Sequence, residues 1–126
     1  MATFTYHNTE KLKSRKKLNE LFTKGKSFSV FPVKVFYVLG EMNKEPVKAG
    51  VGVSTRNFKK AVDRNRIKRL LRECYRLNKL PLHEKVASQQ RSVAVFFLYL
   101  GKDLPAYEAL TATMKSALLK LEEKIV

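Results

Sequence analysis

The chain is predicted to fold as an α+β domain, a two-layer sandwich with helices on one mixed sheet. Segments 28–39, 47–54 and 91–100 are rich in β-branched and aromatic residues and read as strands. Segments 14–24, 58–77 and 105–124 carry apolar residues at helical spacing. The resulting order is helix, two or three strands, helix, strand, helix, which suits one sheet with helices packed against it. A length of 126 residues and a hydrophobic content of 44% fit one domain spanning 1–126 with a single core. No internal repeat or low-complexity linker interrupts it.

In the first helix, Leu18, Leu21 and Phe22 share a face between Ser14, a candidate N-cap, and Gly25, a C-terminal stop. In strand 28–39, Phe31, Val33, Val35, Tyr37 and Leu39 point one way; Pro32, Lys34, Phe36 and Val38 point the other. Pro32 gives no N–H to a ladder, which suits a strand start or an edge. Residues 40–46 are polar and turn-like. In strand 47–54, Ala49, Val51 and Val53 oppose a nearly bare side of Gly50, Gly52 and Ser54. That bareness leaves room for a helix or ligand to approach; no Gly-Lys-Ser/Thr follows, so it is not a phosphate loop. The helix at 58–77 has Asn57 as its candidate cap. Residues 78–90, with Pro81, read as a connector. Strand 91–100 is apolar enough to be buried on both faces. Asp103 and Pro105 open the last helix, which runs to about Lys124 with Leu110, Met114, Ala117, Leu118 and Leu121 at core spacing.

Charge carries the functional signal. The formal net charge is +15 and the isoelectric point is near 10.1. Residues 1–76 hold 19 Lys/Arg against 6 Asp/Glu, a net of +13, while residues 77–126 net only +2. Nine of the cations fall between Arg56 and Arg76: Arg56, Lys59, Lys60, Arg64, Arg66, Lys68, Arg69, Arg72 and Arg76. A soluble chain tolerates such density when a polyanion neutralises it, and nucleic acid is the commonest one.

On a helical wheel with Arg64 at zero, Ile67, Leu70, Leu71, Cys74 and Leu77 fall between roughly 220° and 340°. Lys68, Arg72, Asn65, Arg76 and Arg69 fall between roughly 40° and 140°. Four like-charge pairs four residues apart, from Lys60–Arg64 to Arg72–Arg76, cost together roughly 1–2 kcal/mol, and Arg69–Glu73 offsets a fraction. Burying Ile67 or Leu71 contributes ~1.5–3 kcal/mol each, so packing wins. The charge row is therefore expected to serve binding rather than stability.

Ala49-Gly50-Val51-Gly52-Val53-Ser54, followed by Ala61-Val62-Asp63-Arg64-Asn65-Arg66-Ile67-Lys68-Arg69-Leu70-Leu71-Arg72, closely resembles the protein subunit family of bacterial ribonuclease P. Leu12, Leu18, Phe22 and Gly25 fit that family's first helix. The resemblance implies an α-β-β-β-α-β-α order, a four-stranded sheet and a left-handed βαβ crossover, the ribosomal protein S5 domain 2-like fold. It implies a partner, a catalytic RNA whose Mg²⁺ ions hydrolyse precursor tRNA to release the 5′ leader, with no cofactor intrinsic to the protein. Arg56, Lys59, Lys60, Arg64, Asn65, Arg66, Lys68, Arg69 and Arg72 are then the expected RNA contacts. Leu18, Phe22 and Phe36 are the expected walls of a cleft for the single-stranded leader. Departures from the family pattern stand at Leu18, commonly Phe; at Lys59, often Gly; and at Phe97-Leu98-Tyr99, usually ending Ala-Arg.

No catalytic constellation stands out in the chain itself. His7 and His83 lie apart from any Cys/His cluster, so no zinc site is expected. Cys74, the only cysteine, forms no intrachain disulfide and is expected to be an inert core thiol. The longest apolar run, Val93 to Leu100, is short of the ~20 residues a bilayer span needs, and the N-terminus lacks a signal-peptide pattern. A cytoplasmic protein with no membrane and no stable protein partner is expected. The alternative functions are a structural RNA-binding protein of the ribosome and a protein enzyme that cuts RNA.

Overall fold

The structure, a computed structural model, describes residues 25–41, 47–89 and 91–124. The helix expected at 14–24, and with it Leu18 and Phe22, lies outside these residues. Strands β1 (Lys26–Val30), β2 (Val33–Glu41) and β3 (Val47–Val53) come first, followed by helices α1 (Ala61–Asn78) and α2 (Leu80–Ser88). Strand β4 (Arg91–Tyr99) and helix α3 (Tyr107–Lys124) complete the order. The sheet order is β1-β2-β4-β3. β1 and β4 pair antiparallel with β2, and β3 pairs parallel with β4, so the sheet is mixed as expected. Helices α1 and α2 are the crossover between the parallel pair.

One side of the sheet holds the core. Val33, Val35, Tyr37, Val47, Ala49, Val53, Val93, Val95, Phe97 and Tyr99 are buried there with Ile67, Leu71 and Cys74 of α1 and Leu82 and Val86 of α2. All five residues expected from α3, Leu110, Met114, Ala117, Leu118 and Leu121, are buried. The other side, with Lys34, Phe36 and Val38 of β2 and Ala94, Phe96 and Leu98 of β4, is half-buried. β4 is thus buried fully on one face only, a correction to the expectation of two.

Three boundaries also differ. The single strand expected at 28–39 is a hairpin whose two-residue tip is Phe31-Pro32, joined by a cis peptide. Phe31 therefore stands out at 79% exposure instead of sharing the face of Val33. Val30 and Val33 pair and share a face, so the alternation changes phase across the tip; the unbroken apolar run 30–33 conceals that shift. The basic helix starts at Ala61, with Lys60 at the N-cap position and no side-chain cap bond. Asn57 instead donates through Nδ2 to the carbonyls of Leu100 and Gly101, at 3.1 and 3.3 Å. Residues 80–88 are the helix α2, not a connector, because Pro81 sits in its first turn, where a missing N–H costs nothing.

The bare side of β3 is filled from within. A Cβ on Gly52 would lie 2.5 Å from Cζ of Phe96 and 3.5 Å from a methyl of Leu98, both on the neighbouring strand. Gly52→Ala is expected to cost about 1–3 kcal/mol through displacement of the Phe96 ring. In urea unfolding, Gly52→Ala combined with Phe96→Ala should then cost less than the sum of the single changes; strict additivity would show that the ring is not what glycine accommodates.

Candidate nucleic-acid interface

The amphipathic pattern of α1 fixes where its cations go. Ile67, Leu71 and Cys74 have no exposed surface, and Cys74 Sγ lies 3.3 Å from Thr111 Oγ1 of α3. Burial raises the Cys74 thiol above its ordinary pKa, consistent with an inert core group. Leu70 is half-buried and Leu77 is at 38% exposure, so the buried arc is shifted from the expected one. Tyr75, about 20° from Arg64 on the wheel, is fully buried. Its ring lies 5.7 Å from Phe97 and its hydroxyl 2.8 Å from His83 Nε2 of α2. Sequence periodicity misses Tyr75 because its partner belongs to the helix read as a connector.

Opposite this arc, Asn65, Arg66, Arg69 and Arg72 are exposed, and Arg64 and Lys68 are half-buried. Arg56, Lys59 and Lys60 are exposed in the turn leading into the helix. All nine expected RNA-contacting residues thus lie on one continuous stretch of turn and helix. Phe36 lies elsewhere, on the half-buried side of the sheet, directly paired with Phe96. Lys34 Nζ stands 5.1 Å from the Phe36 ring centroid, a cation–π distance. The two candidate surfaces therefore occupy opposite layers, and Leu18 and Phe22 lie outside the described residues.

Two charged residues behave differently from the wheel. Arg64 donates through Nη1 to the carbonyls of Phe58, at 2.9 Å, and Lys59, at 2.6 Å. It braces the turn that precedes its own helix. Glu73, expected opposite Arg69, pairs with Arg76 instead, with Arg76 Nε 3.3 Å from Oε2 and Nη2 on Oε1. The hydrogen bond from Arg76 holds the Glu73 carboxyl below its ordinary pKa. One turn of the helix thus has its positive charge partly neutralised, while Arg66, Arg69 and Arg72 remain directed to solvent.

The turn itself is tied to the sheet end. Ser54 N donates to Tyr99 O at 3.3 Å, and Leu100 N donates to Pro32 O at 2.7 Å. Tyr99 Oη donates to Asp103 O at 2.7 Å, and Phe58 packs on the Tyr99 ring at 6.1 Å. With the Asn57 bonds, these interactions lock the basic turn over the end of β4. Sequence offers Asn57 only as a cap; its carbonyl partners lie more than 40 residues away. Among the described residues no group of three or more His, Cys, Asp or Glu is placed to hold a metal ion, and no helix is long and apolar enough to cross a membrane.

Known proteins resemble this chain in sequence and in fold. A family profile described as Ribonuclease P matches residues 6–122. The chain is 35% identical over 121 residues to the ribonuclease P protein component of Porphyromonas gingivalis, covering 95% of this chain and 88% of that protein. It is 33% identical over 87 residues to the ribonuclease P protein component of Dictyoglomus thermophilum, covering 68% of this chain and 69% of that one. Its fold is similar to that of the Staphylococcus aureus RNase P protein, with TM-score 0.64 at 20% identity over 89% of this chain and 94% of that one. A mutant of the Staphylococcus aureus protein with defective mRNA degradation activity gives TM-score 0.66 at 21% identity, over 91% and 89% of the two chains.

The brace and the exposed cations should separate in a stability measurement without RNA. Arg64→Ala is expected to lose about 1–3 kcal/mol, because two carbonyls are deprived of a charged donor. Arg69→Ala should stay within about 0.5 kcal/mol of the parent chain, as an exposed side chain does. Equal urea midpoints for the two variants would show that the Arg64 bonds add nothing to the fold.

Proposed function

The chain belongs to the Ribonuclease P family of protein components, and on that premise we propose that α1 docks its cationic side on the catalytic RNA of this ribonucleoprotein. The single observation that carries the reading is the exposure of Asn65, Arg66, Arg69 and Arg72 opposite the fully buried Ile67, Leu71 and Cys74. A rigid helix cannot turn those cations inward without exposing its apolar row, so they meet whatever approaches from outside. Arginine forks match phosphate oxygens in pairs, and each neutralised phosphate releases counterions. Asn65 adds a neutral donor and acceptor between the charges.

The half-buried side of the sheet receives the 5′ leader of precursor tRNA. Phe36 and Phe96 pair across β2 and β4 with Lys34 over the Phe36 ring, combining an aromatic surface with a cation. Stacking of bases on aromatic rings is indifferent to sequence, which suits a protein that meets many leaders. Leu18 and Phe22 supply the opposite wall in this reading. The reacting centre and its Mg²⁺ belong to the RNA; the residues of this chain position the two RNAs and neutralise their mutual repulsion. The product is the mature tRNA 5′ end.

Reconstitution tests this directly. Addition of the protein to a bacterial ribonuclease P RNA should accelerate leader removal at low Mg²⁺; identical rates and substrate affinity with and without it would remove the proposal, and stoichiometric migration with ribosomal subunits would redirect it. Within the reconstituted particle, Arg69→Ala should lower the log–log salt slope of catalytic-RNA binding by roughly 0.7–0.9 for each phosphate that Arg69 neutralises. Phe36→Ala should weaken precursor tRNA binding while mature tRNA binding stays unchanged, and equal weakening of both would assign Phe36 to packing alone.

A further inference from the structure

Phe31 is the most exposed large apolar side chain among the described residues, at 79%. It occupies the first position of a two-residue hairpin tip, a place where glycine, asparagine and aspartate are the usual choices. Its backbone is held on both sides: Val30 pairs with Val33 across the tip, and Pro32 O accepts from Leu100 N at 2.7 Å. Leu100 in turn offers its carbonyl to Asn57 in the basic turn. The register places the tip at the same end of the sheet as that turn, since Val33 and Val53 both pair with Tyr99. Two strand spacings, about 10 Å, separate β2 from β3. The exposed cations Arg56, Lys59, Lys60 and Lys102 occupy this same end.

From this we propose that Phe31 is a stacking platform for one unpaired RNA base, extending the phosphate-gripping surface of α1 past the start of the helix to the hairpin tip. The proposal rests on the RNA-binding reading of α1. An aromatic ring offers a nucleobase its π face, while the cations at the same sheet end draw in the phosphates of that strand. Apolar surface alone would suit a protein partner, but a ring at the same sheet end as Arg56, Lys59, Lys60 and Lys102 is complementary to a nucleic-acid strand. The base can come from the catalytic RNA or from a precursor tRNA, and the measurement separates the two.

The chain contains no tryptophan, so Phe31→Trp installs a single fluorophore at the tip. In the full-length protein, titration with catalytic RNA, and separately of the reconstituted particle with precursor tRNA, should quench that fluorescence in the arm that supplies the base. Phe31→Ala and Phe31→Leu should both weaken that binding by about 5- to 150-fold, the range for one stacked base, with an unchanged salt slope. Phe31→Tyr should bind as the parent does. At such exposure the variants should keep the parent melting curve. Binding by Phe31→Leu equal to the parent, or no quenching in either arm, would overturn the proposal; so would a change in self-association with unaltered RNA affinity. An Arg69→Ala control that also leaves affinity and slope untouched would locate the failure in the RNA-binding reading of α1 itself.

Discussion

Helix α1 must satisfy two opposed demands, and the rest of the molecule is arranged around that constraint. Its cations repel one another along the row from Lys60 to Arg76, at roughly 1–2 kcal/mol in total. Its apolar row offsets this, since Ile67 and Leu71, both with no exposed surface, contribute ~1.5–3 kcal/mol each. The sheet, α2 and α3 supply the surface against which that row is buried. Phe97 of β4 and His83 of α2 also enclose Tyr75, which widens the buried arc and narrows the part of the wheel left to solvent.

The same balance explains the turn before the helix. A positive cluster at a helix start opposes the macrodipole, so Arg56, Lys59 and Lys60 have no local electrostatic reason to be ordered there. Order comes from ring packing and from side chains that bond to backbone carbonyls. Asn57 grips the end of β4, Phe58 packs on Tyr99, and Arg64 reaches back to two carbonyls of the turn. A basic loop fixed in this way gives up little conformational entropy when a polyanion arrives, which makes each of its charges more effective. The hairpin tip shares the anchor through Leu100, so the tip and the turn form one edge of the molecule.

Much of the fold was legible because binary patterns survive folding. Strands 47–53 and 91–99 and the helices at 61–78 and 107–124 match the periodicities that predict them, and the whole predicted α3 core is buried. The exposure of Asn65, Arg69 and Arg72 was readable from the wheel for the same reason. The hairpin was not, because Phe31-Pro32 is apolar where turns are usually polar, so the phase change between Val30 and Val33 is hidden in one apolar run. Helix α2 was hidden by Pro81, which marks a break inside a helix but is acceptable in a first turn.

The sequence by itself determined that a cationic face and an apolar face run along one helix, and the Gly50-Val51-Gly52-Val53-Ser54 strand followed by the Arg64-Asn65-Arg66 helix indicated the family. Only the tertiary structure decided which charges remain available to a ligand. Arg64 is partly committed to the carbonyls of Phe58 and Lys59, Glu73 chooses Arg76 over Arg69, and Asn57 serves the end of β4 rather than the helix start. The reason is physical. Periodicity fixes only which face of an element a residue takes, whereas a long polar side chain selects among all the donors and acceptors within reach, three to six residues away for Glu73 and Arg64 and more than 40 for Asn57.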